Sequence, residues 1–240
     1  MLQENLRKLN EMKLYGMVEK LEEISSNTKF KKYSHHELIA LMVDKEYDRR
    51  KNNKVNRLLK NAKIKLPMAC VEDIIFSSKR NLKKEPFRDL TSCDFIEHNQ
   101  NILIAGATGV GKTFVACALA NLACRNGHPT LYTRISRFLE YVKSEKILGN
   151  YLKVIEKLGK LKLLVLDDLG PDILTKEDRN IFFEIIEERH LSAATIISSQ
   201  LPLDQWYAVF DDKTTADAVC DRIFHNSYKI QLGGGSMRKN

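Results

Sequence analysis

Apolar residues recur along this chain with two different periods, and the change of period falls near residue 98. In KLYGMVEKLEEI, Leu14, Met17, Val18 and Leu21 stand at i, i+3, i+4 and i+7, a single helical stripe. Gly16 falls inside that stripe, where it costs a helix about 1 kcal/mol relative to Ala, so its presence points to close packing. A second helix is predicted after Ser34, because SHHE places Glu37 three residues beyond a capping serine. It or its continuation carries VDKEYDRRKNNKVNRLLKNAKIKLP, with Val55, Leu58, Leu59 and Ala62 as apolar stripe and Pro67 as its stop. Residues 1–66 therefore read as a small all-helical domain. Residues 67–98 read as a connector, polar, interrupted by Pro86 and without a long periodic run.

Beyond that point short, nearly continuous apolar runs alternate with helical patterns. The runs are NILIAG (101–106), LYTRI (131–135), LLVLDD (163–168), TIISS (195–199) and YKIQL (228–232). Helices are predicted to begin near Lys112, Ser136 and Thr175, with a short one near Thr215. Such alternation predicts an α/β domain over 99–240, a parallel sheet of five strands with helices on both faces.

Charge sharpens this division. The net charge is +8, but residues 1–88 hold 21 Lys+Arg against 12 Asp+Glu, while residues 89–240 hold 18 against 19. The positive excess belongs to the first third, which suggests a polyanionic partner. From Lys45 to Lys65 nine basic residues face only Glu46 and Asp48. Arg50, Lys54 and Arg57 share one helical face, flanked by Arg49 and Lys60. That row suits phosphate contact, and the lack of interleaved aromatics favours a duplex backbone over stacked single-stranded bases. Five cysteines without a CxxC pair read as reduced thiols, with Cys117 and Cys124 on one face of a helix. No apolar stretch reaches 18 residues and the N-terminus has no secretory pattern, so a soluble, cytoplasmic protein without membrane contact is expected.

The candidate chemistry lies between the first run and the helix after it. GATGVGKT, comprising Gly106, Ala107, Thr108, Gly109, Val110, Gly111, Lys112 and Thr113, satisfies GxxxxGK[ST] in the strand-to-helix context that motif requires. The loop would cradle phosphates with backbone N–H groups, Lys112 would reach the β and γ oxygens, and the Thr113 hydroxyl would ligate Mg²⁺. Four apolar residues then Asp167 form a Walker B pattern at a strand tip, so Asp167 is expected to hold the Mg²⁺ shell and Asp168 to polarise an attacking water. A polar tip follows in TIISSQLP. Ser199 or Gln200, on a strand expected between the two Walker strands, would sense the γ-phosphate or the water.

Taken in order, KLNEMKLYGMVEKLEEI, RRKNNKVNRLLKNAKIKLP, NILIAGATGVGKTFVACALA, LLVLDDLG, LTKEDRNIFFEIIEERH, TIISSQLP, DAVCDRIFH and GGSMRK resemble the IstB-like transposition helper ATPases. These are AAA+ proteins related to the DnaC helicase loaders and more distantly to the initiator DnaA. The resemblance implies an ATP-driven homo-oligomer on double-stranded DNA that selects or remodels a target and activates a cognate transposase. It implies that Arg222 matches the arginine finger acting on a neighbour's ATP, and that Arg238 matches the sensor-2 arginine. Phe114 stands where relatives often have His. Arg134 and Arg137 are a further DNA-facing pair in such an assembly. The chain ends eight residues past its last predicted strand, so no C-terminal lid domain is expected. A helicase-loading adaptor that uses ATP as a timer is the alternative reading. A small-molecule kinase is disfavoured by the Asp167–Asp168 pair, the polar sensor strand and the lack of an arginine-rich lid.

Overall fold

The computed structural model describes residues 1–170, 174–210 and 213–237. Contacts divide the chain into two compact units, Met1–Arg57 and Leu58–Asn240.

The first unit contains α1 (Leu2–Glu11), α2 (Tyr15–Ser26) and most of α3 (His35–Ala62). Gly16 is the one buried residue of α2, and the stripe around it is half-buried. The reason is the approach of α3: a Cβ at Gly16 would lie 2.7 Å from Glu46 Cα and 2.7 Å from the Lys45 carbonyl oxygen. The Gly16 N–H donates to Glu46 Oε2 at 2.7 Å, and Arg50 Nε donates to Glu46 Oε1 at 2.6 Å. At the start of α3 the Ser34 N–H and hydroxyl both donate to Glu37 Oε2 at 2.7 Å, and these bonds hold the Glu37 carboxyl below its ordinary range. The helix ends at Ala62, short of Pro67. Lys63 turns left-handed (φ 53°) and the chain leaves the helix to bury Ile64 and Ala69.

The second unit begins earlier than residue 99. Residues 67–98, read as a connector, hold two short 3₁₀ turns, α4 (Lys84–Thr91) and α5 (Asp94–Glu97). Their residues Ile74, Leu82, Phe87, Leu90, Phe95 and Ile96 are buried in one core with the first strand and the helix after it. Pro86 sits in the first turn of α4, where its missing N–H has no intrahelical acceptor to lose. By contacts, the two units meet inside α3.

Five parallel strands, β1 (Asn101–Gly106), β2 (Thr130–Arg134), β3 (Leu163–Leu169), β4 (Ala194–Ser199) and β5 (Ser227–Leu232), form a sheet in the order β2-β3-β4-β1-β5. Side chains alternate between two cores. Ile102, Ile104, Val165 and Ile196 face α6 (Lys112–Arg125), while Leu103, Leu164, Leu166 and Ile197 face a layer of α7 (Ile135–Ile147), α8 (Tyr151–Gly159), α9 (Lys176–Arg189) and α10 (Lys213–Phe224). Thr175 caps α9 through a reciprocal capping box with Asp178. The helix expected to be short near Thr215 is α10, 12 residues long from Lys213. Among the described residues of 99–240 two elements were not expected, α8 and a 3₁₀ helix over Leu203–Phe210. Cys117 and Cys124 are buried free thiols on α6, and burial pushes Cys117 up to about 11. Among the described residues no helix is long and apolar enough to cross a membrane.

Candidate nucleotide site

Because β4 lies between β1 and β3, the tips of three adjacent strands converge on the start of α6. They line a cavity of about 520 Å³ that includes Thr108, Lys112, Thr113, Asp167, Asp168 and Gln200. Gly111 caps α6 in a left-handed conformation (φ 99°), and a Cβ there would lie 2.9 Å from Arg80 Nη2. The Lys112 ammonium is buried and donates to the carbonyls of Gly106 at 2.7 Å and Ala107 at 2.9 Å. It stands at the loop that the phosphate motif builds, so a phosphate there would exchange places with those carbonyls.

Asp167 shares its face of β3 with Val165 and is 1% exposed. Its carboxylate accepts from Thr113 Oγ1 at 2.9 Å (Oδ2), from the Tyr132 hydroxyl at 2.6 Å and from the Ser198 hydroxyl. Burial and the Asp167 carboxylate push the Tyr132 phenol far up, so it stays a donor. The Thr113–Asp167 oxygen pair fits Mg²⁺. Neighbouring ligands of an octahedral ion bound at about 2.0–2.1 Å stand about 2.9 Å apart, and both atoms are hard oxygens. When bound, the ion would neutralise phosphate charge, and Thr113 and Asp167 would hold it.

Asp168 departs from the strand. Its φ is 69°, and the β3–β4 register shifts between Leu166 and Leu169. This bulge turns the Asp168 carboxylate toward the cavity mouth. Its N–H donates to Ser198 Oγ at 3.1 Å and its Oδ1 accepts from Gln200 Nε2 at 3.1 Å. Gln200 Oε1 in turn accepts from the Thr108 hydroxyl at 2.7 Å. Thr108, Gln200 and Asp168 thus form a hydrogen-bonded chain from the phosphate loop to the tip of β3.

Of the two polar sensor candidates only Gln200 lines the cavity. Ser199 is fully buried, donates to the Leu169 carbonyl at 2.7 Å and accepts from the Leu201 N–H. Ser198, which the sequence reading passed over, is the residue that touches Asp167. Strand alternation contains the signal, since Ser198 and Gln200 share a face with Ile196 whereas Ser199 follows Ile197. Arg80 was also missed. Its guanidinium is 9% exposed, borders the same cavity and donates to Val110 O at 2.8 Å and Ile75 O at 2.6 Å. No motif marks it, because its partners are backbone carbonyls of distant segments.

Other expected residues lie elsewhere. Arg134, read as DNA-facing, lines the nucleotide cavity, and Arg137 is exposed in the first turn of α7. Arg222 lies outside that lining. Its guanidinium pairs with Glu187 on α9, stacks over Phe183 at 5.1 Å and donates to the Ala218 carbonyl. Arg238 falls outside the described residues. In the basic row, Arg49 pairs with Glu19 and Arg50 with Glu46, so two of its charges already have carboxylate partners. Lys54, Arg57 and Lys60 are exposed and form no ion pair among the described residues.

The IstB-like ATP binding protein family matches residues 7–240. A Sinorhizobium fredii protein named as an insertion sequence ATP-binding protein, y4pL, is 37% identical over 235 residues, covering 98% of this chain and 96% of that relative. The ATP-binding protein named for insertion sequence IS1162 of Pseudomonas fluorescens is 37% identical over 202 residues, covering 84% and 87%. Among solved structures, the DnaC helicase loader superposes with a TM-score of 0.56 at 18% identity, covering 68% of this chain and 96% of that one. AMPPCP-bound DnaA from Aquifex aeolicus superposes with a TM-score of 0.57 at 19% identity, covering 69% and 50%. Those two likenesses show the fold, a five-stranded parallel sheet with helices on both faces. With phosphate loop, acidic strand tip and polar sensor strand in one cavity, and with the match running almost the full length, the chain belongs to the IstB-like ATP-binding proteins.

Proposed function

We propose that this protein is a DNA-stimulated ATPase of insertion-sequence transposition, which assembles on duplex DNA, marks or remodels the target and recruits a transposase. The observation that carries the reading is the Asp168–Gln200–Thr108 chain across the mouth of the phosphate cavity. A carboxylate held beside the γ-phosphate position by an amide is a proton acceptor for an attacking water. Lys112 serves the transferred phosphoryl oxygens, while Thr113 and Asp167 hold Mg²⁺. Arg222, outside its own cavity, serves the neighbouring copy after releasing Glu187, which makes each active site shared. Lys54, Arg57 and Lys60, the members of the basic row without an ion pair among the described residues, give the first contacts to DNA phosphates, and Arg50 joins if DNA displaces Glu46. Relatives named for insertion sequences at 37% identity favour transposition over helicase loading, for which the likeness to DnaC supplies the fold alone.

The test mixes two inactive variants, Arg222→Ala and Lys112→Ala, on duplex DNA. Mixed interfaces pair an intact cavity with an intact finger and should regain phosphate release, toward the 10³–10⁵-fold effect typical of arginine fingers. Asp168→Asn alone should bind ATP and turn it over slowly. Silence at every mixing ratio, with both variants bound to DNA, would refute the shared site, and full turnover by Asp168→Asn would refute the water-activating role.

A further inference from the structure

The turn between α7 and α8 presents aliphatic side chains to solvent. Ile147, Leu148 and Leu152 are 87%, 70% and 79% exposed, within six residues of one another. The turn is held in place: the N–H groups of Leu148, Gly149 and Asn150 bond the last carbonyls of α7, and the Asn150 amide donates to Glu145 at 3.0 Å. Contiguous exposed aliphatic side chains on a hydrogen-bonded turn are the kind of surface found at interaction sites. Beside it Lys153 and Lys157 stand four apart on α8, exposed and without an ion pair among the described residues.

The same unit carries a surface of matching chemistry. Between α10 and the Leu203–Phe210 helix lies a shallow cleft of about 380 Å³, walled by Tyr207 and Phe224, whose rings meet edge to face at 6.0 Å. Asp217 and Asp221 rim it, four apart on α10, exposed and likewise without an ion pair among the described residues. His225 also lines it, and Lys229, outside the lining, stands over the Phe224 ring at 5.5 Å. An i, i+4 pair of lysines beside aliphatic residues thus has its counterpart in an i, i+4 pair of aspartates beside aromatic ones. α9 packs against both α8 and α10, so the two surfaces lie on opposite flanks of one helical layer.

We propose that the α7–α8 tip of one copy docks into the α10 cleft of the next, with Ile147, Leu148 and Leu152 on Tyr207 and Phe224 and Lys153 and Lys157 facing Asp217 and Asp221. This rests on the reading of the protein as an oligomer and names its contact. The two surfaces differ, so the contact is head-to-tail and propagates as a ring or an open helix. It also puts α10, which carries Arg222, at the boundary between copies.

The experiment uses two charge-reversed full-length chains, Lys153→Glu/Lys157→Glu and Asp217→Lys/Asp221→Lys, followed by sedimentation velocity with ATP, Mg²⁺ and a duplex. None of the four residues lines the nucleotide cavity, so both variants should bind a fluorescent ATP analogue like the unaltered chain, which verifies folding. Alone, each variant meets its own kind as like charges and should lose the large species, with association weakened about tenfold or more. An equimolar mixture restores every tip–cleft pair and should assemble again. Leu152→Asp should abolish assembly in either background. Assembly by each variant alone, or no recovery in the mixture while the unaltered chain assembles, overturns the contact and leaves the oligomer reading standing. An unaltered chain that stays monomeric overturns both. Weakened duplex binding by the lysine variant, without recovery in the mixture, would assign Lys153 and Lys157 to DNA and also overturn the contact.

Discussion

Replacing Gly16 by Ala tests whether the first unit depends on the close approach of α2 and α3. The new Cβ would stand 2.7 Å from Glu46 Cα and from the Lys45 carbonyl, against ordinary contact from 3.4 Å, so the helices must separate by roughly 0.7 Å. Three effects then compete. Alanine favours helix by up to about 1 kcal/mol. Overpacking costs about 1–3 kcal/mol where neither neighbour can yield, and here the atoms in the way are backbone. The same displacement stretches the Gly16 N–H bond to the Glu46 carboxylate, a buried charged hydrogen bond of about 1.5–3 kcal/mol. Repulsion and the lost bond outweigh propensity, leaving a net destabilisation of about 2–4 kcal/mol.

Hydrogen exchange read by mass spectrometry localises the effect. Peptides from α2 and from α3 up to Arg57 should exchange about 30- to 1000-fold faster, at tenfold per 1.4 kcal/mol. Peptides from β1 and β4 should keep their rates, since they belong to the other compact unit. Unchanged or slower exchange in α2 would mean that propensity wins and that the close approach is not what requires glycine there.

Three other outcomes follow from single contacts. Burial raises the Glu46 carboxyl, but its bonds from Arg50 and the Gly16 and Met17 N–H groups outweigh that and hold it below its ordinary range; the first unit should therefore be fully stabilised above the ordinary carboxylate range and lose stability as pH falls through the lower folded value, a loss that Glu46→Gln should flatten in acid-titrated exchange. Tyr132→Phe removes a hydroxyl that orients Asp167, so the Mg²⁺ concentration for half-maximal turnover should rise about 10-fold or more with kcat little changed, and an unchanged Mg²⁺ titration would refute the positioning role. Arg189 is fully buried and donates to the carbonyls of Leu158, Leu161 and Ala194 and to Thr195; Arg189→Met leaves these acceptors unpaired and should cost about 3–5 kcal/mol in urea unfolding, whereas an unmoved midpoint would show the acceptors are satisfied otherwise.

The three central strands, β1, β3 and β4, were legible because they are buried on both faces and read as nearly unbroken apolar runs, while the partly exposed edge strands β2 and β5 were read from their place in the alternation with helices. The phosphate loop was legible because backbone geometry restricts which residues can build it. Residues 67–98 were not. Their apolar side chains sit on turns and helices too short to set a period, and only tertiary contact shows that Phe87, Leu90 and Phe95 belong to the core. The two polar sensor candidates could have been sorted by alternation along β4. Asp168 could not, because its direction depends on a bulge and a left-handed residue that neither neighbour announces. Arg134 is ambiguous for a related reason: a basic residue at a strand end serves a nucleotide phosphate or a DNA phosphate equally well, and the sequence does not tell that it lines the cavity.

What the geometry adds to the motifs is a site whose groups are already bound to one another. Lys112 rests on two loop carbonyls, Asp167 holds Thr113, Tyr132 and Ser198, and Thr108 reaches Asp168 through Gln200. A triphosphate must therefore exchange these bonds for its own, and its affinity is the difference between two satisfied states, not the sum of new contacts. The exchange is unequal along the site. Lys112 would trade two neutral carbonyls for a charged phosphate oxygen and gain, whereas Thr113 already bonds a carboxylate. Gln200 has partners on both sides of the mouth, so a γ-phosphate that displaces either must release the other for new work. On the proposed reading, discrimination between di- and triphosphate would fall at the tip of β4, the strand that lies between β1 and β3 and leads into the Leu203–Phe210 helix, where Trp206 Nε1 bonds the Leu201 carbonyl and its ring meets Phe224 of α10 at 5.9 Å. The residues that would register the terminal phosphate are thus joined by one short segment to the helix that carries Arg222.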